Sequence, residues 1–384
     1  MKCVGAPLPS TRVRVDFRPE PADPREERLI DKRIVVVGGG VLGTTSALAL
    51  ALGGADVVLY ADEMEATTSA YVSGGLIEPY ASADERVGDW FGRTLRALEM
   101  LAAEHLHGWA TLHAGILFST EPLSVLPEWS QHIPMFENPA RSPVDAFPFA
   151  SRYETLTLRS DHLMATLNRL ARRAGVSFER RWVQDLESLV ASEQPDAVVA
   201  AAGLGMGALW PDPCLAAGVG LVRVVDIPPP GRFSWLDAEI DALGLDVREV
   251  ILMNADVTAY SIPRRSNRPG WAQLVIGGTN VIQAPGAPVR VDDRMISGHQ
   301  RNVEAGLPPL FSSLIDRVEG EWRCGARPLR DHALLETKEV GGVPVLGLGG
   351  VGGSGMSVFV GVVEDGIDIL LDGCMGSSAR MSPV

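Results

Sequence analysis

The stretch RIVVVGGGVLGTTSALALALGGADVVLYAD, residues 33–62, constrains the fold more than any other part of the chain. An apolar run at 34–37 is typical of a buried strand, and apolar residues at helical spacing follow the glycines. A second apolar run at 57–60 comes after a Gly-Gly break and leads to an acid, Asp62. This order predicts a strand–helix–strand unit, the opening of an α/β fold with a parallel sheet.

The turn between the first strand and the helix carries the pattern G-x-G-x-x-G at Gly38, Gly40 and Gly43. The first glycine permits a tight turn, the second lets backbone approach a pyrophosphate, and the third lets helix and strand pack closely. The helix then begins at Val41 and Leu42, where free amide groups favour phosphate. Asp62, nineteen residues after Gly43, is placed to bind a ribose. The unit predicts a dinucleotide site and leaves NAD and FAD both open.

Charge and cysteine content narrow the partners and the compartment. The 384-residue chain has a net charge of −14, which opposes binding to nucleic acid or an anionic membrane. Its four cysteines lack C-x-x-C or zinc spacing, so we expect no metal site and a reducing cytoplasm. The C-terminal RMSPV is not a peroxisomal signal, which fits a bacterial setting. Residues 34–60 are nearly uncharged, but their change from strand to helix to strand argues against a membrane span.

Further segments follow in a recognisable order. They are YADEMEATTSAYVSGGLIEPYASADERVGDW (60–90), HLMATLNRLARRAGVSFERRWV (162–183), PDAVVAAAGLGMGAL (195–209), AYSIPR (259–264), GARPLRD (325–331) and GGVGGSGMSVFVG (349–361). Each resembles a segment of the D-amino acid oxidase family of FAD enzymes, and the matches run in the family's order over about residues 33–370. The resemblance implies FAD as the cofactor.

The resemblance also implies which residues hold FAD. In addition to the glycine pattern and helix start, they are Ala61, Asp62, Thr68, Ser69, Gly75, Leu76, Val183, Ala202, Gly203, Gly352, Gly353, Gly355, Met356 and Ser357. By this resemblance Val183 lies near the adenine. The Thr-rich loop runs along the pyrophosphate and flavin, and the late glycine cluster closes over the flavin ring.

The implied reaction is oxidative deamination of a D-amino acid. Hydride passes from the α-carbon to flavin N5, O₂ is reduced to hydrogen peroxide, and the imine is hydrolysed to a 2-oxo acid and ammonia. By resemblance Arg327 holds the substrate carboxylate, for which a guanidinium is a planar, bidentate match. Tyr260 is implied to donate a second hydrogen bond, and the Gly353 carbonyl to accept one from the amine. Arg330 is expected to be structural.

The chain departs from the family pattern at several positions. Asp256 stands where the family has a second active-site tyrosine, so a carboxylate facing the pocket is expected to favour a basic substrate. A local slip of the alignment is the alternative. Ile77 and Ser354 replace aromatic residues, which predicts a wider pocket, and Glu78 replaces a glutamine. A general D-amino acid oxidase and a specialised oxidase of a bulkier substrate are both open.

We therefore predict a Rossmann-like FAD-binding domain built from discontinuous segments, plus an α+β substrate domain with an antiparallel sheet. The FAD domain is assigned to 31–85, 155–220 and 320–372, the substrate domain to 86–154 and 221–319, a disordered extension to 1–30 and a tail to 373–384. The expected partners are a small amino acid or amine and O₂, and a homodimer stays open. Oxidation of glycine, an N-methylated amino acid or a pathway intermediate is one alternative, and a non-catalytic flavin-binding protein is another.

Overall fold

The computed structural model describes residues 26–62, 68–79, 84–106, 108–123, 128–133, 136–142, 144–284, 286–287 and 291–373. The predicted extension up to residue 25, the tail from residue 374, and parts of the 60–90 segment lie outside these described residues. The prediction of a disordered extension over residues 1–30 is wrong for residues 26–29, which are folded. Glu26–Leu29 forms a 3₁₀ turn, and Leu29 is buried because its side chain packs beside Gly53 at the end of the first helix.

The described residues form one mixed sheet. Its strands in chain order are β1 Arg33–Val37, β2 Asp56–Ala61, β3 Ala110–Ser119, β4 Glu137–Arg141, β5 Phe149–Leu158, β6 Ser177–Arg180, β7 Ala197–Ala200, β8 Ala216–Ile227, β9 Val250–Asn254, β10 Ala259–Arg265, β11 Ala272–Gly277, β12 Val281–Gln283, β13 Gly320–Val340 and β14 Val343–Val351. The spatial order is β4-β5-β3-β9-β10-β11-β8-β13-β14-β7-β1-β2-β6, with β12 also paired to β8.

One end of the sheet has the topology that the glycine pattern predicts. Strands β14, β7, β1, β2 and β6 lie side by side and run parallel to one another. Both faces of this part are covered, because alternate residues of β1 belong to two separate apolar clusters. Near-continuous burial of β1 and β2 is typical of a parallel sheet packed on both sides.

The helices complete these layers. They are α1 Val41–Leu52, α2 Ser69–Val72, α3 Val87–Leu101, α4 Ser160–Arg173, α5 Leu186–Glu193, α6 Met206–Leu209, α7 Ser234–Leu243, α8 Asp293–Gly306, α9 Leu310–Arg317 and α10 Gly355–Gly373. Helices α1, α3, α4 and α10 cover one face of the parallel strands, and α5 and α6 cover the other. Within the described ranges, no helix is both long and apolar enough to cross a membrane.

The other end of the sheet is mainly antiparallel, and its apolar face packs on α7, α8 and α9. Strand β13 joins the two ends, since residues 320–329 pair with β8 and residues 334–340 pair with β14. The sheet is therefore continuous, and the predicted domain boundaries at 155 and 220 each fall inside a strand, β5 and β8. The predicted fold class, a Rossmann-like α/β unit combined with an antiparallel sheet, is confirmed.

Candidate active site

A cavity of about 640 Å³ lies where the parallel strands end. Residues at or just after the carboxyl ends of β1, β2, β7 and β14 line it. Open α/β sheets bind ligands outside the carboxyl ends of their strands, so this position matches the predicted dinucleotide site. The cavity continues over one face of the antiparallel strands to Tyr260 and Arg327.

The glycine turn explains how the cofactor end of the cavity is built. Gly38 has φ of +120°, and a Cβ there would lie 2.3 Å from the Ala201 carbonyl oxygen. A Cβ on Gly43 would lie 1.9 Å from the Gly38 carbonyl oxygen, so helix and turn touch through backbone. Gly40 differs, because a Cβ there would meet nothing within 4 Å. Its backbone lines the cavity and is open to a bound group.

Two helix N-termini contribute to the wall. Helix α1 begins after Gly40 and α10 begins at Gly355, and the first turn of each lacks an acidic residue. Gly40 supplies no side-chain cap, so the first amide groups of α1 depend on another acceptor. The positive ends of the helix dipoles favour anions such as a pyrophosphate.

The opposite end of the cofactor cavity is lined by Tyr60, Asp62 and Val183, as well as by two residues that the sequence did not single out. Trp182 has 62% of its surface exposed although it lines the cavity. The guanidinium of Arg181 lies over the Tyr60 ring at 4.7 Å. Aromatic and cationic surfaces of this kind suit a planar base such as adenine.

Tyr260 and Arg327 share one face of the antiparallel sheet. Tyr260 on β10 pairs with Gly277 on β11, and its ring lies over that glycine, since a Cβ on Gly277 would be 2.0 Å from Tyr260 Cζ. Arg327 on β13 folds over Gly220 of β8, where a Cβ would lie 2.6 Å from both guanidinium Nη atoms. The two glycines therefore make room for the side chains that line this end.

The register brings these side chains towards each other. Gly277 pairs with Val222, and Val222 pairs with Arg323, so Tyr260 and Arg323 stand in one row across four strands. Arg327 lies four residues further along β13 and folds over Gly220, towards that row. Arg327 Nη1 contacts Asn280 Oδ1 at 3.4 Å and the Gly218 carbonyl at 3.5 Å.

The predicted cofactor residues are brought together. Those that line the cavity are Gly38, Gly40, Val41, Leu42, Ala61, Asp62, Thr68, Ser69, Gly75, Leu76, Val183, Ala202, Gly203, Gly352, Gly353, Gly355 and Met356. Gly43 and Ser357 lie just behind the wall: Gly43 packs on the turn, and Ser357 Oγ donates to the Glu78 carbonyl at 3.0 Å. Ser69 Oγ donates to the Ala326 carbonyl at 2.6 Å and so fastens α2 beside Arg327.

Asp256 is not part of the cavity wall. It lies in the exposed turn between β9 and β10, where its Oδ2 accepts a hydrogen bond from the Thr120 amide at 2.8 Å. Asn254 pairs with Ala259, so residues 255–258 form the turn and Met253 is the residue opposite Tyr260. The prediction that Asp256 faces the pocket is wrong because the pairing of β9 with β10 leaves residue 256 in the turn between these strands. The argument for a basic substrate that depended on it falls as well.

Ile77 and Ser354, where smaller side chains predict a wider pocket, are not exposed to the cavity. Both residues are 0% exposed, and neither is among the residues lining the cavity. Ile77 belongs to the large apolar cluster around α3 and α10. Arg330 forms an ion pair with Asp212 at 2.8 Å, in keeping with the structural role expected of it.

A buried cation supports the wall from behind. Arg264 is 3% exposed, and its Nη1 donates to the carbonyls of Ser73 and Gly74 at 3.3 and 3.2 Å. Burial, together with the nearby Arg159 guanidinium, lowers the pKa of Arg264 to about 9, so it stays protonated at neutral pH. The contacts hold residues 73 and 74, which line the cavity, in one conformation.

Sequence reasoning missed Glu78, Met253 and Arg323, which also line the cavity. The signal for Glu78 was present, because this carboxyl stands where the resembling family has a glutamine. Arg323 is held by Glu321, its Nε lying 2.6 Å from the Glu321 carboxylate. The position of Met253 depends on strand pairing, which no local pattern specified.

The cavity fits a flavin dinucleotide. The backbone is open at Gly40 and at Gly203, where a Cβ would also meet nothing within 4 Å. The Thr68 hydroxyl is buried without a hydrogen-bond partner among the described residues, and it lines the same cavity. Residues 33–363 match the model of the FAD-dependent oxidoreductase family, DAO. The chain belongs to this family. FAD is therefore its cofactor, as the sequence predicted.

Members of the DAO family resemble the chain over most of its length. The chain is 30% identical to a D-amino-acid oxidase of Streptomyces coelicolor over 342 residues, which cover 87% of this chain and 95% of that protein. A D-amino-acid oxidase of Rubrobacter xylanophilus is also 30% identical, over 87% of this chain and 94% of that protein.

Solved structures share the fold. A glycine oxidase from Geobacillus kaustophilus superimposes with a TM-score of 0.64 at 17% identity, over 88% of this chain and 95% of that one. An L-α-glycerophosphate oxidase from Mycoplasma pneumoniae with FAD bound gives 0.63 at 11% identity, over 88% and 94%.

Proposed function

We propose that the protein oxidises the α-carbon of a D-amino acid whose carboxylate binds Arg327. One observation carries the proposal: Arg327 and Tyr260 line the same end of the FAD cavity, each folded over a glycine that leaves it room. An arginine and a phenol on one wall form a site suited to a carboxylate. The resemblance to two D-amino-acid oxidases at 30% identity supports the D configuration.

In this proposal the chain acts by binding and orientation. Arg327 grips the carboxylate with two parallel hydrogen bonds, and Tyr260 donates another to it. The carbonyl of Gly353, which lines the cavity in the turn before α10, accepts a hydrogen bond from the amine. Three contacts of this kind fix which hydrogen on the α-carbon faces the cofactor. FAD, when bound, supplies acceptance of a hydride and reoxidation by O₂.

The test is anaerobic titration of the FAD-loaded protein with D- and L-amino acids, glycine and N-methylated amino acids, followed by flavin absorbance. We expect D-amino acids to bleach the flavin and their L enantiomers to leave it oxidised. If only glycine or N-methylated amino acids bleach the flavin, these compounds are the substrates and the proposed D-amino acid class is wrong. A flavin that none of them bleaches would refute the proposed reaction and favour a flavin-binding role without oxidation.

A matched pair of variants tests the arginine. Arg327→Lys keeps the charge but loses the planar fork, so the apparent Kd for the bleaching amino acid should rise roughly 10- to 150-fold, corresponding to about 1.5–3 kcal/mol. Arg330→Lys changes an arginine three residues away that is paired with Asp212 instead, and its Kd should stay at the wild-type value. Equal effects of the two changes would contradict the role of Arg327.

A further inference from the structure

We propose that Glu78 accepts a proton from the ammonium group of the bound substrate and so produces the neutral amine that is oxidised. This inference rests on the proposed function and deepens it. The transfer breaks one N–H bond of the substrate and forms one O–H bond on the Glu78 carboxylate. One positive charge disappears from the substrate and one negative charge from the protein, and nothing is oxidised or reduced in this step.

The first observation is a buried carboxyl without full hydrogen bonding. Glu78 is 7% exposed, and its Oε2 has no hydrogen-bond partner among the described residues. It lines the same cavity as Arg327 and Tyr260. Burying a polar atom without a partner is unfavourable, and such an atom is usually explained by a ligand or a catalytic role.

Contacts place Glu78 on the substrate side of the cavity. The Tyr153 hydroxyl, on β5, interacts with the Glu78 carboxyl and donates to Met253 Sδ at 3.4 Å. Met253 is in turn the direct strand partner of Tyr260. A continuous set of neighbours therefore leads from the phenol proposed to bind the carboxylate to the Glu78 carboxyl.

The backbone of this segment is fixed from two directions. Ser357 Oγ, in the first turn of α10, donates to the Glu78 carbonyl at 3.0 Å. Thr155 Oγ1 on β5 donates to the preceding Ile77 carbonyl at 2.7 Å. Because Ser357 follows closely on the turn that contains Gly353, Glu78 is tied to the element whose carbonyl is proposed to face the amine. A held carboxyl is a better proton acceptor than a mobile one, since the geometry is set before substrate binds.

Its surroundings give Glu78 a suitable proton affinity. Burial raises the pKa of Glu78 to about 7, and the neighbouring Tyr153 hydroxyl opposes this rise only in part. Burial also raises the pKa of Tyr153 well above its ordinary value, so the phenol stays neutral. A general base works best when its pKa lies near the working pH.

Other charged groups face the same space. The titratable side chains of the cavity at this end are Tyr260, Arg323 and Arg327. Strand β9 carries no ionisable side chain, and the first on α10 is Glu364, which Arg93 Nη1 contacts at 2.9 Å. Bound carboxylate on Arg327 offsets the positive charge of that guanidinium, which keeps Glu78 basic when substrate is present.

The first test is the pH dependence of kcat/KM in the FAD-loaded protein with the bleaching amino acid. Wild type should lose activity as pH falls through about 7, because a protonated Glu78 cannot accept a proton. Glu78→Gln should lower kcat/KM at pH 7 by about 10²-fold or more. The variant should recover towards wild type at high pH, where the substrate amine is already neutral. A loss that is equal at every pH would indicate a structural role and overturn the proposal.

Two further variants separate a folding defect from a lost base. Tyr153→Phe removes a hydroxyl that favours the ionised Glu78 carboxyl, so the acid limb should move to higher pH. Asp256→Asn converts a carboxyl to an amide in the exposed β9–β10 turn and should leave the profile unchanged. An acid limb that stays in place in both Tyr153→Phe and Glu78→Gln would rule Glu78 out as the titrating group.

A binding measurement needs no turnover. Propionate, a carboxylate without an amine, should bind wild type more weakly at pH 8 than at pH 6 by up to about tenfold, measured by flavin absorbance, because ionised Glu78 repels it. Glu78→Gln should bind it equally at both pH values. If wild type and variant behave alike, the Glu78 proposal fails while the oxidase function stands. If no amino acid bleaches the wild-type flavin, the oxidase function fails, and the proposed proton transfer fails with it.

Discussion

A single added methyl group should disable Arg327 without unfolding the protein. In Gly220→Ala the new Cβ would lie 2.6 Å from both guanidinium Nη atoms of Arg327, whereas ordinary contact begins at 3.4 Å. The guanidinium must therefore withdraw by about 0.8 Å, the difference between these two distances. A misplacement of about 1 Å costs up to about 10²-fold in rate, so kcat/KM for the bleaching amino acid should fall roughly 10- to 100-fold.

The assay combines anaerobic flavin reduction, propionate binding and urea unfolding of the FAD-loaded protein. The contact is with the far end of a flexible side chain, so the free energy of unfolding should change by less than about 1 kcal/mol. Gly298→Ala, on α8 and away from the cavity, is the matched control and should leave kcat/KM unchanged. Wild-type reduction and propionate binding in Gly220→Ala would refute the claim that the Arg327 guanidinium contacts the substrate carboxylate.

Three stability measurements test other parts of the structure. In Gly298→Ala the new Cβ meets only a side-chain atom at 3.8 Å, so this helical substitution should raise the free energy of unfolding by about 0.5–1 kcal/mol in urea. In Gly361→Ala the Cβ would lie 2.4 Å from the Trp90 Cα, so the free energy of unfolding should fall by about 1–3 kcal/mol in the same experiment. Equal effects of Gly298→Ala and Gly361→Ala would contradict the packing of α10 on α3. Burial raises the pKa of Asp84, but hydrogen bonds, chiefly from Arg86, outweigh burial and lower it from 3.8 to about 2. The stabilisation by ionised Asp84 is therefore present above about pH 4 and is lost as pH falls towards 2. Asp84→Asn should lower the free energy of unfolding by about 2 kcal/mol at pH 7 and should make it less dependent on pH between 4 and 2. The same pH dependence in wild type and variant would contradict this role of Asp84.

The parts of the site that lie within short stretches of chain could be predicted from the sequence. The glycine turn is one, because the G-x-G-x-x-G spacing lies within a single strand–turn–helix unit, where Gly43 packs directly on the Gly38 carbonyl. The late glycine cluster before α10 is another, since it too joins a strand directly to a helix. Resemblance to a family then supplied FAD and the role expected of Arg327.

Only the tertiary structure decided what faces the substrate end. Asp256 and Met253 lie three residues apart, and the pairing of β9 with β10 sends one to an exposed turn and the other into the cavity. A shift of register changes which side chains face a given surface, and local sequence does not encode it strongly. The pKa of Glu78 is likewise decided by the tertiary structure. The sequence shows only that a carboxyl stands where the resembling family has a glutamine. Packing against Tyr153 and α10 buries this carboxyl and raises its pKa, because burial is a property of segments that meet only in the folded chain.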